Sequence, residues 1–120
     1  MPELLSGNEA FARGAWEAGV HYATGYPGTP STEILETISS YSDIESEWST
    51  NEKVAMDVGM GVSLAGKRVL ITMKHVGLNV ASDSFMVFPY SGCIGGMVVV
   101  SADDPGMHSS QNEQDNRYYA

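Results

Sequence analysis

Two short apolar runs constrain this chain more than anything else in it: Arg68-Val-Leu-Ile-Thr-Met73 and Gly96-Met-Val-Val-Val-Ser-Ala102. Both are short and rich in β-branched side chains, and neither alternates apolar with polar residues. Runs of this kind read as strands covered on both faces, and such strands belong to parallel sheets sandwiched between helices. Both are expected to be central strands.

The segments around them fit that arrangement. Ser6 and Glu9 form an S-x-x-E capping box, Phe11, Ala12, Ala15 and Trp16 make an apolar stripe, and Gly19 follows as a stop, which predicts a helix over Ser6 to Ala18. Val20 to Gly25 reads as a strand. The turn Tyr26-Pro-Gly-Thr-Pro30 continues neither element, and Ser31 can cap a second helix reaching about Tyr41, with Ile34, Leu35 and Ile38 on one face. A short strand over Ile44 to Trp48 precedes Asn51, a good N-cap. From there Val54, Ala55, Val58, Gly59, Val62 and Ala65 mark a third helix with a small-residue stripe, closed by Gly66. Leu78 to Phe88 is predicted helical, and a last helix is expected from Ser109 or Ser110 to the end. The fold class is therefore α/β, with a doubly wound, mainly parallel sheet, helices on both faces and right-handed crossovers. Ligands of such sheets bind in the crevice at the carboxyl ends of the strands.

A length of 120 residues with 42% apolar content suits one domain, residues 1–120. There is no low-complexity linker and no repeat. The sequence stops at Asn116-Arg-Tyr-Tyr-Ala120 inside what reads as a continuing helix without a C-cap, so a longer parent chain is expected. The formal charge of −9 and a pI of about 4.5 disfavour nucleic acid and anionic membrane surfaces, because the six Lys and Arg are scattered. The start, MPELLSGNEA, is acidic where a signal peptide is basic, and no apolar run approaches the roughly 18 residues of a membrane span, which reads as cytoplasmic. Cys93 is the only cysteine, so an internal disulfide and a multi-cysteine metal or iron-sulfur site are excluded, and it is expected to be a small apolar filler. His21, His75 and His108 show no metal-binding spacing, and no metal site is assigned.

Four loops that follow strands concentrate unusual residues: Tyr26 to Pro30, Ser49 to Glu52, Lys74 to Asn79, and Asp103 to Asn112. Gly28 and Thr29, between two prolines, leave backbone N–H groups and a hydroxyl for an anion, or simply make a turn with a helix cap. Glu52 lies in the first turn after Asn51, where a carboxylate stabilises a helix start. It would also project into the crevice, where partial burial suits it to exchange a proton with a ligand. His75 could serve as acid, base or orienting donor or be a plain loop histidine, and Gly77 allows close approach of a ligand to the backbone beside Lys74, His75 and Asn79. The polar loop after the triple-valine strand, beginning at Asp103, is either functional or a solvated helix entry.

Read together, GYPGTPSTE, STNEKVA, TMKHVGLNVASD and SADDPGMHSSQNEQDNR closely resemble the α subunits of the indolepyruvate:ferredoxin oxidoreductases and, more broadly, the thiamine diphosphate-dependent 2-oxoacid:ferredoxin oxidoreductase family. The resemblance covers nearly the whole chain, with four motifs in order. It implies the pyrimidine-binding domain of the thiamine diphosphate fold and an oxidative decarboxylation of an indolepyruvate-like or other arylpyruvate 2-oxoacid to acyl-CoA, with electrons passed to ferredoxin. Glu52 in STNEKVA would be the catalytic residue, hydrogen-bonding the pyrimidine ring nitrogen and favouring the imino tautomer. Gly28, His75 and Gly77 would line the cofactor, and Thr29, His75 and Asp103 the substrate. The diphosphate, its Mg2+ and the 4Fe-4S clusters would be held elsewhere, in a diphosphate-binding domain of the same or a partner chain and in a cluster-bearing segment. Coenzyme A would be the cosubstrate, and a β subunit, ferredoxin and an oligomeric assembly the partners. The motif GDG with its asparagine pair is absent here, so this chain alone is expected to be inactive. Where pyruvate enzymes carry a cation after the corresponding strand this chain has Asp103 or Asp104, so recognition of the substrate carboxylate by an arginine at that point is not expected, a difference that an arylpyruvate substrate would fit without following from it. Two other readings stand beside this one: a domain of a non-oxidative thiamine-dependent 2-oxoacid decarboxylase, and a non-catalytic assembly domain, against which the retention of Glu52 argues.

Overall fold

The computed structural model describes residues 2–119. Helix α1 (Gly7–Glu17) begins where the capping box places it: Ser6 Oγ accepts from the Glu9 N–H and the Glu9 carboxylate accepts from the Ser6 N–H. It ends at Gly19, whose φ of 69° is the left-handed conformation that glycine adopts without strain. Strand β1 (Tyr22–Gly25), helix α2 (Thr32–Ile38), strand β2 (Glu45–Trp48), helix α3 (Glu52–Leu64), strand β3 (Val69–Lys74), helix α4 (Gly77–Ser91) and strand β4 (Met97–Ala102) follow, with a 3-10 turn over Asn116–Tyr119.

All strand pairs are parallel and the order is β2-β1-β3-β4, with Tyr22 opposite Glu45 and Val69, and Val69 opposite Met97. Alternation along β3 divides the core. Leu70 faces the helices α1 and α2, in a cluster with Ala12, Ile34, Leu35 and Ile38. Val69, Ile71 and Met73 face α3 and α4, packing with Met56, Leu78 and Ala81. Each fully buried side chain of Val, Leu, Ile or Met size contributes about 1.5–3 kcal/mol through apolar area removed from water, which is what pins the helices to the two faces. Helix α3 approaches β3 closely because its buried stripe includes Gly59, where an added Cβ would lie 2.6 Å from Ile71 Cγ1.

Several expectations need correcting. Helix α2 is shorter than its apolar spacing suggests, and Ser31 does not cap it through its side chain: the Ser31 hydroxyl donates to the Gly28 carbonyl at 2.9 Å. Val54 and Ala65 point outward from α3, and Cys93 is exposed rather than a core filler. The triple-valine strand β4 is not central among the described residues but outermost, and Val98 is 57% exposed. Composition reports that a strand can be covered on both faces; it does not report what covers it. Beside β4 an apolar groove of about 600 Å³ runs between Val98 and Leu70 on one wall and Phe11, Ala10 and Gly14 of α1 on the other.

The last helix does not form. Residues 109–115 are irregular, and Ser110 donates to the Asp104 carboxylate instead of capping a helix. The amide side chains that follow bond to the β3–α4 connection, and polar side chains engaged in this way compete with a local helix.

Candidate functional site at the sheet switch point

Strand β1 has β2 on one side and β3 on the other, so the connections leaving β1 and β3 diverge to opposite faces and open a crevice at the carboxyl end of the sheet. Three of the four loops singled out in the sequence meet there. At the β1 end, Gly28 lies against Lys74: a Cβ on Gly28 would come within 2.6 Å of Lys74 Cδ and 2.9 Å of Cγ. The Gly28 N–H is not free for an anion, since it donates to Thr32 Oγ1 at 2.8 Å, and the Gly28 carbonyl accepts from the Ser31 N–H and hydroxyl. Thr29 is exposed, at the edge of a cavity of about 430 Å³ shared with Asn8 and Glu33, and is joined to Pro30 by a cis peptide.

Glu52 is the first residue of α3, held there because the Asn51 side chain accepts from the Val54 N–H at 2.9 Å and fixes the helix start. Its side chain is 7% exposed and turns toward the crevice, where it packs on Gly77, the first residue of α4. A Cβ on Gly77 would sit 2.7 Å from Glu52 Cγ and 2.8 Å from Oε1. The N-cap of α4 is Val76, which has no capping side chain. The amino ends of α3 and α4 thus converge on one carboxyl group, and both helix dipoles favour negative charge there. No hydrogen bond of a described residue reaches this carboxyl group, so its oxygens are available to a donor brought by a ligand.

His75 differs from its sequence expectation. The ring is completely buried and donates through Nε2 to the Asn112 carbonyl at 2.8 Å, leaving Nδ1 buried without a partner. Its own carbonyl accepts from the amides of Gln114, at 3.2 Å, and Asn116, at 2.8 Å. Lys74 donates to Gln111 at 3.0 Å, and Asn79 exchanges hydrogen bonds with Gln114. The β3–α4 connection therefore clasps the last loop along its length. Asp103 takes part in the same construction, accepting from the Asn116 N–H at 3.3 Å, with its other oxygen buried and unpaired. It faces a cavity of about 350 Å³ with Arg117 and Asp115. There the Arg117 guanidinium holds the Asp115 carboxyl well down, to about 2, chiefly through its side-chain hydrogen bonds. The clasping groups, the side-chain amides of Gln111, Gln114 and Asn116 and the backbone carbonyl of Asn112, are not individually conspicuous in the sequence. Their density in a loop predicted to be helical is the one signal of their role.

The structure thus pairs Glu52 with Gly77 and Gly28 with Lys74 at the carboxyl edge of the sheet, and buries His75 as a support of the β3–α4 connection. Asp103 sits with the clasped loop. Among the described residues no cluster of His, Cys, Asp and Glu could hold a metal ion, and no helix is long and apolar enough to cross a membrane.

No family model matches the chain. Over 123 aligned residues, covering 97% of it, the chain is 58% identical to the indolepyruvate oxidoreductase subunit IorA of Archaeoglobus fulgidus, and over 98% of it 58% identical to that of Methanothermobacter marburgensis. The chain is homologous to the IorA subunits. It spans about a fifth of their length, 20% and 19% respectively. Among solved structures, the fold of this chain is shared with a 2-oxoglutarate:ferredoxin oxidoreductase from Magnetococcus marinus bound to 2-oxoglutarate, coenzyme A and succinyl-CoA. The TM-score is 0.74 at 23% identity, over 84% of this chain and 18% of that one.

Proposed function

We propose that this chain is the pyrimidine-binding domain of a thiamine diphosphate-dependent 2-oxoacid:ferredoxin oxidoreductase that acts on indolepyruvate or a related arylpyruvate. The observation that carries the reading is Glu52: a carboxyl group 7% exposed, at the amino ends of two helices, at the switch point of a parallel sheet, without a hydrogen-bond partner among the described residues. Its oxygens are not sealed among the buried unpaired atoms but open to the crevice, so a ligand that offers a ring nitrogen or an N–H can take the place of water there. An aminopyrimidine offers both. The 58% identity to IorA subunits supports the substrate class.

Thiamine diphosphate supplies the decarboxylation chemistry when bound. In the proposed site, this chain's part is to hold and orient. Glu52 bonds the ring nitrogen and moves a proton to or from it, while Gly28 and Gly77 keep the crevice walls low. His75 fixes the β3–α4 connection from below, and Thr29 and Asp103 stand at the substrate side. The diphosphate, Mg2+ and the 4Fe-4S clusters belong to other parts of the complex, with a β subunit, ferredoxin and coenzyme A as partners and cosubstrate, in the cytoplasm. The test is Glu52→Gln in the complete complex, assayed as 2-oxoacid-dependent ferredoxin reduction. A loss of about 10²–10⁴-fold, the range of a positioned acid–base group, is expected with the fold retained. Near-normal turnover would remove Glu52 from the mechanism.

A further inference from the structure

We infer that Gly77 is a positioning residue for Glu52: the side chain it lacks is the space that seats the Glu52 carboxyl group at the mouth of the crevice. This rests on the thiamine reading of the site. Two observations remove the conformational reasons for glycine here, and a third supplies a packing reason. The backbone at Gly77 is not among the positive-φ glycines of the chain, so no left-handed conformation requires it. It is the first residue of a 15-residue helix, where alanine has the higher intrinsic propensity. The three heavy atoms nearest to a Cβ added at this position all belong to Glu52: Cγ at 2.7 Å, Oε1 at 2.8 Å and Cδ at 3.1 Å. What keeps a methyl group out of position 77 is therefore the functional side chain itself.

Glu52 has little room to yield inward, because it is 7% exposed and its helix start is pinned by the Asn51 cap. A methyl group at position 77 displaces the carboxyl group from the place where it is proposed to meet the ring nitrogen. A misplacement on the order of 1 Å costs about a hundredfold in rate. Gly77 therefore works through Glu52 in addition to keeping the crevice wall low. It sets where the carboxyl group stands and leaves its chemistry unchanged.

The experiment compares Gly77→Ala, Glu52→Gln and Gly61→Ala in the full-length subunit within its complex. Gly61 is a control on α3, where an added Cβ meets nothing within 4 Å. Expected is a fall in kcat of about a hundredfold for Gly77→Ala, little change in KM for the 2-oxoacid, and full kcat for Gly61→Ala. A second readout is independent of turnover: thermal unfolding of Gly77→Ala beside Glu52 and beside Glu52→Ala. The substitution lowers the melting temperature in the first background and ceases to do so in the second. Equal melting shifts in both backgrounds overturn the contact. Normal kcat for Gly77→Ala with Glu52→Gln inactive overturns the positioning role and leaves the thiamine reading standing, whereas normal kcat in both variants overturns the reading on which it rests.

Discussion

Two glycines on one helix should respond to the same substitution with opposite signs. Gly59 and Gly61 both lie in α3, two residues apart, and in each the glycine-to-alanine change gains up to about 1 kcal/mol of helix propensity. At Gly61 nothing lies within 4 Å of the new Cβ, so that gain should be seen whole. At Gly59 the Cβ would lie 2.6 Å from Ile71 Cγ1, and nearer still to Cδ1, on a residue of 0% exposure in the middle of β3. Overpacking of this kind costs about 1–3 kcal/mol, so the expected net effect is a loss of up to about 2 kcal/mol. Equilibrium urea unfolding followed by circular dichroism measures both midpoints. The contact itself is tested by pairing Gly59→Ala with Ile71→Val, which removes Cδ1. Ile71→Val alone should cost about 0.5–1.5 kcal/mol, and the pair should be less unstable than the sum, with a coupling of at least about 0.5 kcal/mol. Stabilisation by Gly59→Ala equal to that of Gly61→Ala would refute the close helix–sheet approach from which the argument starts.

Two further outcomes can be checked on the same chain. Ser63 donates to the Gly95 carbonyl at 2.6 Å in a buried setting, and the Gly95 N–H returns to the Ser63 carbonyl, so Ser63→Ala should cost about 1–3 kcal/mol in urea unfolding by leaving a buried acceptor unpaired; an unchanged midpoint would contradict this. The Asp57 carboxyl is held below its usual value of 3.8, chiefly by the Ser84 hydroxyl that donates to it; burial opposes this, and Lys53 adds to the lowering. A depressed folded value gives a stabilisation that is present above about 3.8 and is lost as pH falls through the folded value. The stability gap between the natural chain and Asp57→Asn should therefore close as pH is lowered from about 5 toward about 2, and a gap independent of pH would show that the charge is not involved.

How much of this is legible in the sequence depends on whether the deciding interaction is local. The Ser6–Glu9 box and the Asn51 cap join residues three apart, and both form as their spacing predicts. The buried character of β3 is equally plain, because five of its six residues are buried. Strand order is not legible, and so the triple-valine strand reads as the centre of a sheet whose margin it forms. The final loop misleads for a related reason. Gln114 and Asn116 have acceptable helical neighbours, but their amides are engaged by the carbonyl of His75, far away in sequence. The site divides in the same way. Glu52 stands out because a carboxylate after an N-cap is a local signal, and its seat on Gly77 does not, since no periodicity links α3 to the start of α4.

The exposed margin of β4 has a colloidal consequence. An outermost strand carries a row of unpaired amides and carbonyls, and on a β-branched strand that row is a template for another strand. At neutral pH each copy carries a net charge of −9, and mutual repulsion keeps such edges apart. Near the isoelectric point of about 4.5 the repulsion vanishes while the edge persists. Carboxylates on the surface, and not the apolar clusters that fix the fold, then decide whether this chain stays in solution.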